Sequence, residues 1–222
     1  MTDQEISTRQ TILLAAIDCI EKHGLDQVTT RMISEYAGTN VASINYHFRT
    51  KDQLIEEALR TTVTHMLEDA VLAIEDRSLP FRQALRDILY YLIAGGAEWP
   101  GITTAHLYSI VVAKAYDSIS ATMIKQVFDR LHERAVNELG DQDPEQLRLS
   151  LADVFSTVMF GMLAPDFFRL ADRYRPKDEE RFGRLADHYT QLFYALLPPT
   201  DTPSPHQPAT GTDGATPGTV GP

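Results

Sequence analysis

Apolar residues fall at helical spacing along almost the whole chain, and that periodicity leaves little room for a sheet. Ile12, Leu13, Ala16, Ile17 and Ile20 follow one helical face, and Gly24 ends that helix with Lys22 and His23 in its last turn. Thr30 is expected to cap a short helix carrying Met32, Ile33 and Tyr36, closed by Gly38. A second short helix covers about residues 41–47. Thr50-Lys51-Asp52-Gln53 has the form of a capping box and opens a long helix bearing Leu54, Ala58, Val63, Leu67, Ala70, Val71 and Ile74. Pro80 starts the next, which ends near Gly95-Gly96, and Pro100-Gly101 marks a break. A short helix, a joint near residues 109–116 and a longer helix are expected over residues 103–139. Pro144 starts another helix, and Pro165 either kinks or restarts it. Pro176 precedes a final helix with Phe182, Leu185, Tyr189, Leu192, Phe193 and Leu196. About nine helices and no strand pattern make the fold class all-α.

Composition excludes several functions. The chain has 222 residues and one cysteine, Cys19, so neither a disulfide framework nor a multi-cysteine metal cluster is available. The opening MTDQEISTRQ has no apolar run of a signal peptide, and no window approaches the roughly 18 apolar residues of a membrane span. A cytoplasmic protein without a membrane partner is expected. Net charge is -11, which argues against wrapping nucleic acid over a broad basic field. Residues 1–60 hold six basic and nine acidic side chains, so any DNA contact there must use a few placed groups. Residues 198–222, with seven prolines, four glycines and six threonines, are expected to form a disordered tail beyond the folded body.

Residues 29–54, TTRMISEYAGTNVASINYHFRTKDQL, carry the most specific signal. Two helices too short to stand alone flank Gly38-Thr39-Asn40, where Gly38 permits a sharp turn and Asn40 can cap the second helix. Ile33, Tyr36, Ala37, Val41, Ile44 and Phe48 are expected to pack on the first long helix. That is a helix-turn-helix arrangement, whose second helix enters the major groove. Ala42, Ser43, Asn45, Tyr46 and His47 are left outward or at the rim, as readers of base edges and phosphates. His47 suits a packing and phosphate-side position better than base reading. Lys51 lies in a first helical turn, where a cation is disfavoured unless it meets phosphate; a solvated lysine is the alternative. Thr30 can contact phosphate as well as cap, and Arg31 and Arg49 are further cations near the turn.

In Thr29-Thr30, Ala37-Gly38, Val41, Ser43, Ile44, His47, Phe48, Lys51 and Leu54 the chain resembles the TetR family of ligand-responsive transcriptional repressors. It departs at Asn45, where a tyrosine is frequent in that family, and Tyr46 follows instead. The resemblance covers roughly residues 8–60. It implies DNA binding through Thr30, Arg31, Ala42, Ser43, Asn45, Tyr46, His47 and Lys51, to a double-stranded operator with an inverted repeat. It also implies three parts: residues 1–50 as the DNA-binding domain, 51–197 as a helical effector-binding and dimerisation domain, and the tail 198–222. Repression follows from the family's habit.

For the second domain the residues themselves say less. Bulky or polar groups on otherwise buried faces are His65, Met66, Tyr90, Trp99, His106, Tyr108, Phe128, Phe155 and Met159, candidates to line a pocket for a largely hydrophobic small molecule. Most aromatics on such faces are simply core. Phe155, Met162, Leu185, Tyr189, Leu192 and Phe193 make the last two helices apolar on more than one face, which suits a homodimer; a monomer whose bundle absorbs them is the alternative. No nucleophile elbow, phosphate loop or dinucleotide fingerprint occurs, and His132-Glu133 is followed by Val136 where a zinc helix needs histidine. No enzyme, cofactor or metal site is expected. A helical adaptor, or a small-molecule-binding protein or enzyme without DNA function, is the rival reading.

Overall fold

A computed structural model describes residues 7–167 and 178–199. Among them the chain forms nine α-helices: α1 (Thr8–His23), α2 (Thr30–Tyr36), α3 (Val41–Phe48), α4 (Lys51–Glu75), α5 (Phe81–Glu98), α6 (Pro100–Val111), α7 (Ile119–Glu138), α8 (Pro144–Leu163) and α9 (Glu179–Ala195). A 3-10 turn, Leu25–Gln27, follows α1. The all-α class and the helix number agree with the periodicity. No helix among the described residues is long and apolar enough to cross a membrane.

Side-chain caps fix most boundaries. Ser7, Thr29, Asn40, Thr50, Ser118, Asp143 and Asp178 each accept a hydrogen bond from a backbone N–H in the first turn of the helix that follows. The cap of α2 is therefore Thr29, not Thr30, which is the first helical residue. Gly24 turns the chain after α1 at φ 77°, and Gly38 turns it between α2 and α3 at φ 63°. Pro100 is the first residue of α6 rather than a gap, and Trp99 serves as both the end of α5 and the start of α6. Pro165 does not kink α8: the helix stops at Leu163, with Ala164 driven out of helical geometry ahead of the ring, and the expected restart falls outside the described residues. Pro176, and the expected tail from residue 200 onward, lie outside the described residues.

Two hydrophobic clusters organise the bundle. The first joins Ile12, Ala16 and Ile20 of α1 to Ile33, Ile44 and Phe48 of the helix-turn-helix. It also takes Leu54 and Ala58 from α4, and Ile102 and Ala105 from α6. The second joins Val63, Leu67, Ala70 and Ile74 of α4 to α5, α7, α8 and α9. α4, about 37 Å long at the ordinary helical rise, is thus a spine shared by head and body. Packing does not divide between residues 50 and 51. Emptying one of these sites, as in Leu54→Ala, costs about 2–5 kcal/mol.

Buried polar groups tie the body together. Arg134 of α7 is fully buried and donates to the carbonyls of Ala73, Ile74 and Leu79, at 2.8, 2.9 and 2.5 Å, and to Glu138 at 2.7 Å. Glu138 in turn accepts from the Phe81 N–H at 2.7 Å, so one Arg–Glu pair serves the end of α4 and the start of α5.

Candidate nucleic-acid interface and groove

α3 is held from beneath and open above. Ile44 and Phe48 are buried, four residues apart on one face. Val41, expected inward, is exposed in the first turn of α3. Tyr36 is likewise exposed; its hydroxyl is 2.8 Å from His23 Nε2, and Lys22 lies over its ring, so it braces the surface rather than the core. On the open face Ala42 and Asn45 are exposed, and the Tyr46 ring is 83% exposed. Ser43 and His47 are half-buried at the rim, with the His47 ring edge-on to Tyr46 at 5.0 Å.

The flanking cations are less free than their charge suggests. Arg31 pairs with Glu35 at 3.1 Å on an exposed helix face, which contributes little to stability. Lys51 donates through Nζ to the Val28 carbonyl at 2.5 Å, which holds it half-buried beside the start of α2. Thr30 is half-buried in the first turn of α2.

Arg49, named from the sequence as a further cation near the turn, follows α3 with φ 61°, an uncommon conformation for a residue with a side chain. It turns the chain into α4 and lines a cleft of about 570 Å³ with Arg9, His47, Gln53 and Arg60. Arg9 lies 4.7 Å over the Phe48 ring and pairs with Glu57 at 2.5 Å, joining α1, α3 and α4. No periodic pattern marks such a residue; only the backbone angle does.

The nine candidate pocket residues do not share one cavity. Met66, His65 and Trp99 come together in a groove of about 280 Å³ between α1, α4, α5 and α6, with Asp69, Tyr91 and Glu98. His106 is fully buried instead, with Nε2 3.0 Å from Thr62 Oγ1 and Nδ1 2.8 Å from Ser120 Oγ. Burial lowers its pKa to about 4, so the imidazole is a neutral tie between α4, α6 and α7. Tyr108 lines a separate cleft beside the 3-10 turn. Phe128 and Phe155 meet edge-to-face at 5.7 Å, Tyr90 packs against the body core, and Met159 is half-buried on α8. These helices present different faces to their neighbours, so residues close in character are far apart in space.

Of the residues expected between subunits, Phe155, Leu185, Tyr189 and Phe193 are buried within the single chain. Met162 and Leu192 are half-buried against the same core, and Met162 fills the space over Gly96. They lie on the inner side of α8 and α9, packed against the body core.

Residues 12–58 match the family model described as bacterial regulatory proteins, tetR family. None of the curated proteins matches the chain in sequence. Among solved structures, the chain is similar to a TetR-like transcriptional regulator from Rhodococcus sp. RHA1, with 18% identity over 84% of this chain and 93% of that one, at TM-score 0.63. It is similar to the fatty acid degradation regulator FadR from Bacillus halodurans, with 15% identity over 86% of this chain and 96% of that one, at TM-score 0.64. A TetR transcription regulator from Haloarcula marismortui gives 16% identity, 86% and 98% coverage, and TM-score 0.64. The family match is confined to residues 12–58, and the described fold as a whole is similar to that of TetR-like regulators.

Proposed function

We propose that the chain is a homodimeric transcriptional repressor that holds an inverted-repeat operator through α3 and is released from it by a small-molecule effector. The observation that carries this reading is Tyr46. A tyrosine ring 83% exposed on a short helix that is locked by Ile44 and Phe48 supplies a rigid reader with no intramolecular use for most of its surface. Asn45 and Ala42 beside it read base edges, while Ser43, His47, Thr30, Arg31 and Lys51 serve the flanking phosphates. Lys51 keeps further N–H donors beyond the one given to Val28.

With net charge -11, these placed groups work against a repulsive field, so binding is strongly salt-dependent. The outward faces of α8 and α9, which include the exposed Leu149, support the dimer, and the inner faces do not. A regulator of this kind works in the cytoplasm, where its operator is. The working division is a DNA-binding head near residues 1–50 and an effector-binding, dimerising body near 51–197, with α4 common to both.

Selection from a random duplex pool tests the reading. An enriched inverted repeat, with half-sites about 34–36 Å apart or somewhat wider, is expected. A folded protein that enriches no motif at low salt overturns it. Light scattering is expected to give about twice the 24.9 kDa of one chain.

A further inference from the structure

The groove beside Trp99 combines features that select one chemistry. Asp69 and Glu98 both line it, no lysine or arginine does, and neither carboxylate forms an ion pair among the described residues. Its walls also carry two partly exposed rings, Tyr91 and Trp99, and the thioether chain of Met66, which packs beside Gly95. Aromatic faces attract a cation, tryptophan most strongly, and unpaired carboxylates add to that attraction. Met66 adapts to irregular apolar shapes. An acyl or other organic anion meets two like charges here. The volume, about 280 Å³, suits a ligand of one or two fused rings or the cationic end of a larger one.

We infer that this groove binds a flat organic cation and that this cation is the effector class of the protein. The inference rests on the regulator reading and deepens it. Position gives the occupant leverage: Ile17 of α1 and Ile102 of α6 line the same groove as α4 and α5, so a bound ring touches head and body at once. Trp99 directly precedes Pro100 and Gly101, and Gly101 lies against the backbone of Glu21 in α1. A ring that shifts Trp99 therefore pushes on the head through a contact with no slack.

Trp99 is the sole tryptophan of the chain, so its emission reports occupancy without a label. The full chain, free of DNA, is titrated with three ring compounds of equal size: 1-methylquinolinium, the neutral 1-naphthylmethanol and the anionic 1-naphthoate. Calorimetry gives affinity and Trp99 emission gives location. The quinolinium is expected to bind roughly tenfold or more tighter than the neutral ring, and the naphthoate weakest. The emission is expected to change on binding, and the doubly substituted Asp69→Asn, Glu98→Gln protein, checked for folding by circular dichroism, to lose the preference for the cation. Equal affinity for the three probes, no binding at all, binding that leaves Trp99 unmoved, or a preference that survives the double substitution overturns the inference. The wild-type comparison of probes stands without the variant. A cation that binds as expected to a protein that selects no duplex refutes the repressor reading and leaves this site in place.

Discussion

Gly101 lies so close to Glu21 that a Cβ at position 101 would come within 2.3 Å of the Glu21 carbonyl oxygen. The neighbouring Ile102 N–H donates to the Glu21 carboxylate at 2.9 Å, so α6 and α1 are joined by backbone contact and by a hydrogen bond. Because the obstacle is backbone, Gly101→Ala must force the two helices apart. A loss of about 1–3 kcal/mol is expected, with faster amide exchange in α1. Thermal unfolding checks it: an unchanged Tm means that the helices do not meet here. Glu21→Gln, which can still accept, is expected to cost less than about 1.5 kcal/mol.

Arg134 satisfies three carbonyls that no other side chain reaches among the described residues. Arg134→Met leaves them buried without a donor and strips Glu138 of its closest cation, an expected loss of about 3–5 kcal/mol. Arg134→Lys recovers little, because a single ammonium cannot follow the fork of a guanidinium. Urea denaturation of the two variants measures both. Equal stability of the lysine variant and the parent would show that geometry is irrelevant to this tie.

His106 makes stability depend on pH in a definite window. Its folded pKa, about 4, lies below the ordinary value of 6.5, so between those values the unfolded chain binds the extra proton and the native chain does not. Stability therefore rises with pH across that interval and falls by up to roughly 3 kcal/mol on acidification through it. The carboxylates held low, Asp76 and Asp129, add their own loss only below their ordinary value of 3.8. His106→Gln is expected to flatten the slope between pH 6.5 and about 4, a window set by the same two pKa values. Denaturation midpoints across that range decide it; parallel curves for variant and parent remove His106 as the cause.

Tyr46 and Lys51 are expected to fail differently on DNA. Tyr46→Ala alters the ranking of operator variants, with about 1–3 kcal/mol at stake where a good base contact is lost. Lys51→Ala weakens all sequences alike and makes the salt dependence shallower by about one unit per subunit. Fluorescence anisotropy at several salt concentrations separates the two. An unchanged salt slope would assign Lys51 wholly to the Val28 carbonyl.

Local chemistry made much of the fold legible in advance. The helix between Asn40 and Arg49 could be read from a capping amide, two apolar residues four apart and a turn glycine, because each acts within a few residues of itself. The start at Pro144 was fixed in the same way, by a ring that has no N–H to donate, whereas the pattern at Pro165 marked an interruption without giving its form. The shift of a cap from Thr30 to Thr29 lies within the same physics, since either hydroxyl sits near the first free N–H groups.

Which face meets what was another matter. Phe155 and Phe193 look alike to periodicity whether a helix buries them in its own chain or against a second one, and only the arrangement of α5, α8 and α9 turns them inward. His65 and His106 sit on helices of similar character, yet one points to solvent and the other is sealed between two hydroxyls. Met66, Asp69, Tyr91, Glu98 and Trp99 became one groove only when α4 and α5 packed side by side. Sequence by itself determined the helices and the helix-turn-helix, because hydrogen bonding, capping and turn geometry are local. The tertiary structure alone decided the groove and the α1–α6 contact, because burial and electrostatic proximity join residues that the chain keeps far apart.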